Sequence, residues 1–147
     1  MSKFYALARI DGGVAIMNCI NDATDPIAEI NRWSPDYRAL LVGTAQEIGT
    51  VPQDRTFRDA WTPALTVDMP KAREIHMGRI RKARDDELRR TDGLMARASE
   101  QGNTAGGAKL RAERQILRDI PQNFVLSGAK TPDDLKALWP EGLGRAP

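Results

Sequence analysis

Apolar positions recur at different spacings along the chain, and each spacing predicts a different element. Phe4 to Ile10 and Val14 to Ile20 are apolar, β-tolerant runs separated by Asp11-Gly12-Gly13. Glycines there supply the positive φ that tight hairpin turns need, so a β-hairpin is predicted. Asp25-Pro26 then opens a stretch with Ile27, Ile30 and Trp33 at three-residue spacing, which fits a short helix capped by Asp25 with proline at its first position. Ser34-Pro35-Asp36 breaks that helix, and Ala39-Leu40-Leu41-Val42 is short and wholly apolar, as a strand buried on both faces would be. Residues 1–50 therefore predict a small ββαβ unit.

Residues 51–67 hold Pro52, Pro63 and the segment Asp54-Arg55-Thr56-Phe57-Arg58-Asp59-Ala60-Trp61. Its alternation places Phe57 and Trp61 on one side of an extended strand, so this stretch reads as a connecting arm that docks two aromatics. Asp68-Met69-Pro70 is a strong helix start, no proline interrupts the residues up to Gly93, and there is room for the helix to run on to Glu100. Ala72, His76, Ile80, Ala83, Leu88, Thr91, Met95 and Ala98 recur mostly at three- or four-residue steps, a narrow stripe along roughly 45 Å at about 1.5 Å per residue. Such a stripe needs a partner. Gln101 to Gly107 reads as an interhelical loop, and Ala108 to Ile120 offers Leu110, Ile116, Leu117 and Ile120 as a second apolar face. Residues 68–120 thus predict an antiparallel helical hairpin. In 121–147, Thr131-Pro132-Asp133-Asp134 starts a short helix with Leu135 and Leu138 that Trp139-Pro140 stops, leaving Glu141 to Pro147 as a loose tail. The predicted class is α+β: the ββαβ unit, then the long hairpin, then the short terminal helix.

Composition sharpens this picture in three ways. Aromatics are 5% and charged residues 29% of the 147 residues, which favours helices with one apolar stripe over a thick core. Net charge is only +2, so no global field points to nucleic acid or membrane. The distribution is uneven: residues 1–70 carry −3, residues 71–97 carry +4 and the remainder +1. The sole cysteine, Cys19, lies in an apolar run and reads as a buried reduced thiol, consistent with synthesis and assembly in a cytoplasm. The opening apolar stretch is too short for a signal peptide, and no later run approaches about 18 apolar residues, so an unexported protein with no membrane span is expected.

Candidate chemistry is sparse. His76 is the only histidine, which excludes a His-rich metal site and the nucleophilic arrangements that rely on an imidazole base; its plain reading is a polar residue at the edge of the helix stripe. Gly102 to Lys109 has the glycines of a phosphate loop, but Ala108 stands where lysine is needed, Leu110 follows Lys109 where Ser or Thr is needed, and a helix precedes it. Asp85-Asp86-Glu87 fan out around a helix and cannot converge on a metal. Arg81, Asp85 and Arg89, and likewise Lys82, Asp86 and Arg90, are spaced by four and predict a solvated face laced with ion pairs. Arg79, Arg81, Lys82, Arg84, Arg89 and Arg90 form the one basic cluster. The acidic triplet within it, and the absence of any aromatic between His76 and Ile116, argue against nucleic acid, which remains the competing reading. No cofactor, no metal and no catalytic residue is expected.

Four stretches carry a resemblance: Asp54 to Trp61; Val67-Asp68-Met69-Pro70-Lys71-Ala72-Arg73-Glu74-Ile75-His76 with the Arg-rich helix after it; Leu117-Arg118-Asp119-Ile120-Pro121; and Thr131 to Pro140. Together these resemble small phage and prophage proteins known as tail assembly chaperones or tail-fibre-associated proteins. The resemblance implies a non-enzymatic role, bound to a phage tail, tail-tip or fibre protein, in the bacterial host cytoplasm during assembly or in the virion. It brings no catalytic residues. Interfaces concentrate energy in aromatic and arginine anchors, which makes Trp61 the first candidate, Trp139 the second, and Phe57, Arg79 and Arg84 supporting contacts. For Phe57 and both tryptophans the alternative is a place in the core. An exposed helix stripe would also suit a homo-oligomer.

Overall fold

The computed structural model describes residues 2–21 and 24–144. It divides into two compact units, residues 1–72 and 73–147, with the division falling inside the long helix. The class is α+β: a three-stranded antiparallel sheet at the N-terminal end, then two long helices in contact and a short terminal helix.

In the first unit, β1 (Lys3–Arg9) and β2 (Val14–Cys19) form the expected hairpin, pairing Lys3 with Cys19 through Ala8 with Val14. Its turn is built by Asp11 and Gly12. The Arg9 N–H donates to the Gly13 carbonyl (2.9 Å) and the Gly12 N–H to the Arg9 carbonyl (3.0 Å). Asp11 Oδ1 accepts from the Gly13 N–H at 2.9 Å. Gly12 sits at φ +75°, where a side chain is strained. Asp25 caps α1 (Pro26–Asn31) by accepting from the Ile27 N–H, and α2 (Pro35–Arg38) follows after Ser34.

The third strand, β3 (Leu41–Ile48), pairs antiparallel with β1, so the order is β2-β1-β3. It is not the doubly buried strand expected at Ala39–Val42. It begins two residues later and lies at the sheet edge, with Leu40 45% and Val42 57% exposed. A short apolar run marks burial only when strands flank it on both sides, and here only β1 does. The two faces of the sheet bury separate clusters, as period-2 alternation requires. Tyr5, Leu7, Met17 and Cys19 pack with Ile30 and Trp33 on one face. Ala6 and Val14 pack with Trp61, Val51, Leu65 and Val67 on the other.

The arm that supplies this second cover is not an extended strand either. Asp54 Oδ1 accepts from the Thr56 N–H at 2.9 Å, and the chain turns into a single 3-10 turn at Arg58–Ala60. The side chain of Asp54 offers the backbone a local partner that an extended strand would forgo. Trp61 then bridges to Val67 across a tight turn in which Leu65 takes φ +57°.

Helix α3 (Met69–Glu100) runs 32 residues, as the stripe predicts. Asp68 Oδ1 accepts from the Lys71 N–H at 3.2 Å. At its far end Gly102 takes φ +61°. The Asn103 N–H reaches back to the Ala98 carbonyl (2.8 Å) and the Gly102 N–H to the Ser99 carbonyl (3.1 Å), the paired bonds of a Schellman ending. The interhelical loop is far shorter than Gln101 to Gly107, because α4 (Thr104–Asn123) already contains Gly106 and Gly107. Asn103 caps it by accepting from the Gly106 N–H at 2.9 Å. A Cβ on Gly106 would lie 2.5 Å from the Asn103 amide, so this glycine serves the cap and not a turn.

Helix α4 also passes Pro121 and continues to Asn123, with the Phe124 N–H donating to the Ile120 carbonyl (2.8 Å); a proline this near a helix end removes one bond without ending the coil. Arg114 ties the two helices together. Its guanidinium meets the Leu88 carbonyl at 2.8 Å, Thr91 Oγ1 at 2.6 Å and Asp92 at 2.7 Å. Thr131 and Asp134 form a capping box on α5 (Pro132–Ala137), and Leu135 is fully buried. The segment expected as a loose tail folds back through Gly144: Leu143 is buried, and the Trp139 indole donates to the Gly144 carbonyl at 2.6 Å. Residues 145–147 of that predicted tail lie outside the described residues.

Candidate functional site

The residues expected to anchor a partner fall into different environments. Phe57 (2% exposed) and Trp61 (3%) are interior to the first unit, and Trp61 packs against Ala6 and Val14; both take the core alternative. Arg79, Arg84 and Trp139 belong to the second unit and are half-buried. The Arg84 guanidinium grips Asp85 at 2.7 and 2.9 Å. Trp139 meets the His76 ring edge-on, centroids 5.7 Å apart.

His76 is 3% exposed, further inside than the stripe edge expected of it, and its Nε2–H donates to the Leu138 carbonyl at 2.7 Å. The imidazole thus locks the turn after α5 onto α3. Arg73 does similar work one turn earlier, donating to the Ala129 carbonyl at 2.7 Å.

The acidic triplet pairs along the helix at steps of three or one: Arg89 with Asp86 at 3.0 Å, Arg90 with Glu87 at 2.6 Å, Arg84 with Asp85 at 2.7 Å. The spacing of four that the sequence offered goes unused. Hydrogen bonds from Arg90 hold the Glu87 carboxyl below its ordinary value against a smaller effect of burial, the charge of Arg90 adding least, and Arg90 is raised in return. Each pair keeps at least one partner well exposed, so these pairs are worth little individually. They occupy much of the basic cluster with neighbouring carboxylates, which is the local geometry of a solvated face.

Two surface features have no counterpart among the chemistry-bearing residues of the sequence. At the turn end of the β1–β2 hairpin, a cleft of about 390 Å³ is lined by Arg9, Asp11, Gly13, Val14, Arg58, Asp59 and Lys71. Arg9 is held on Asp11 at 2.6 Å, while Arg58 and Lys71 enter no ion pair among the described residues. In the second unit, Ile116, Ile120, Phe124 and Pro140 line a groove of about 240 Å³, and Ile116 and Val125 are 67% and 68% exposed. Ile116 and Leu117 were both expected on the buried face of α4; of the two, only Leu117 is buried.

Among the described residues no cluster of His, Cys, Asp and Glu could hold a metal ion, and no helix is long and apolar enough to cross a membrane. The chain matches no family model, no curated protein and no solved structure.

Proposed function

We propose that this chain is a non-enzymatic protein-binding component of a tailed phage or prophage, docking on a tail, tail-tip or fibre protein as a virion part or an assembly factor. The phage assignment is supported by the four resembling stretches. Protein binding is supported by one observation: the second unit leaves the apolar side chains of Ile116 and Val125 two-thirds exposed, and Ile116 lines a groove with Ile120, Phe124 and Pro140. Exposed apolar surface ringed by polar residues is how a docking face differs from an ordinary solvated surface. Trp139, next in the chain to Pro140, replaces Trp61 as the first candidate anchor, with Arg79 and Arg84 as flanking contacts.

The test is to purify particles from a strain that encodes the protein and quantify it by mass spectrometry against the major tail protein, in particles and in lysate. A fixed ratio in particles is expected of a virion part. Co-purification with a tail protein from lysate alone is expected of an assembly factor, and absence from both sinks the phage reading. Nucleic-acid binding predicts instead an affinity that falls steeply with salt. The ion pairing of Arg84, Arg89, Arg90 and Arg114 with neighbouring carboxylates counts against it.

A further inference from the structure

The two outer strands of the sheet differ in how well they are protected. Edge strands present unpaired N–H and C=O groups, and proteins blunt them with charge, proline, bulges or cover. On β3 such devices are present: an irregular register against β1 between Leu7 and Arg9, Gly43 at φ +82°, and Glu47 paired to Lys3 at 3.2 Å. On β2 none is. From Gly12 to Asn21 the chain has ten residues without a charge or a proline. No hydrogen bond from another described segment reaches the backbone of Val14, Ile16 or Asn18.

The ladder determines which groups point outward. Arg9 and Gly13 exchange a bond at the turn, and bonded and non-bonded pairs alternate from there in an antiparallel hairpin. Ala15, Met17 and Cys19 therefore face β1, while the N–H and C=O of Val14, Ile16 and Asn18 face out. Beyond Val14 the edge meets the cleft of Arg9, Arg58 and Lys71, whose lining carries one more positive than negative charge within a unit, residues 1–72, of net −2. An anionic group on an added strand has one favourable place to sit, and that is the turn end of β2. Antiparallel pairing, the stronger of the two modes, brings the C-terminal end of an added strand there.

We infer that the outer edge of β2 receives an extended, uncharged strand of a partner protein, with acidic residues at that strand's C-terminal end seated in the Arg58–Lys71 cleft. Main-chain bonds to Ile16 and Asn18 supply affinity and the cleft supplies direction, as in other cases of strand addition. The inference rests on the protein-binding reading and names the kind of segment that is bound.

The experiment uses the full chain and two synthetic eight-residue peptides of alternating threonine and valine, one ending in two aspartates and one in two asparagines. Amide hydrogen exchange is followed by NMR, and affinity by fluorescence anisotropy. The aspartate peptide is expected to slow exchange at Ile16 and Asn18 while leaving Ala15 and Met17 unchanged, and to bind about tenfold tighter than the asparagine peptide. Arg58→Glu with Lys71→Glu is expected to erase that preference. Ile16→Pro, which deletes an outward N–H at a position where edge strands tolerate proline, is expected to abolish binding of both. Protection appearing on β3 instead, no protection at all, or concentration-dependent protection of Ile16 without peptide, the mark of a second copy on the edge, would each overturn the inference. If the peptides fail while the protein still travels with a tail protein, the edge assignment alone is lost. If they bind and no tail protein is found, the phage reading alone is lost.

Discussion

Asp134 shows how much one side chain contributes to the start of a short helix. Its carboxylate accepts from the N–H groups of Thr131 (3.0 Å) and Lys130 (3.2 Å), while its own N–H donates to Thr131 Oγ1 (3.1 Å). The Thr131 hydroxyl contributes most to holding this carboxyl below its ordinary value, followed by the two backbone groups. A carboxyl whose pKa is depressed by folding stabilises the fold above its unfolded pKa and loses that contribution as pH falls through the folded one. Asp134→Asn is therefore expected to lower the melting temperature at neutral pH, with the gap to wild type narrowing as acidification carries the pH down through the depressed folded-state value. Thermal melts across that range check it. This box was legible in Thr131-Pro132-Asp133-Asp134 because both partners are close in sequence. The interior place of His76 was not, since its bond to Leu138 joins residues 62 apart and periodicity carries no information at that range.

Among the elements, the glycines separate into those that require their conformation and those that do not. Gly102 ends α3 at φ +61°, so Gly102→Ala is expected to cost about 1 kcal/mol. Gly93 lies inside α3 with nothing within 4 Å of the space a Cβ would take, so Gly93→Ala is expected to stabilise by about 1 kcal/mol. Chemical denaturation of the two variants should move the midpoint in opposite directions. The same distinction explains what was legible here. The long helix could be read because Asp68, Pro70 and an eight-residue stripe all agree. The start of α4 was misplaced because Gly106 and Gly107 look like loop residues, whereas the Asn103 cap fills the space that a side chain at Gly106 would need.

At the scale of the whole molecule, each unit buries a centre of its own, and they do so by different means. The first covers a small sheet on both faces. The second relies on a guanidinium, an imidazole and a few fully buried aliphatics such as Ile80 and Leu135. The class was legible because hairpin, helix and cap signals are local. The edge of β2 was not, because its signal is ten residues of missing charge, and a scan for chemistry-bearing side chains passes over an absence.

The single cysteine of the chain sits on that strand, 4% exposed among Tyr5, Leu7 and Met17. A thiol reagent can reach Cys19 only when the sheet opens, so the chain carries its own clock: under excess reagent, modification is expected to proceed at the opening rate and to speed up sharply with denaturant. A strand laid along β2 would have to leave before the sheet could part. The aspartate peptide is expected to slow that clock in proportion to the fraction bound, so that occupancy of the edge can be read from the chemistry of a buried thiol.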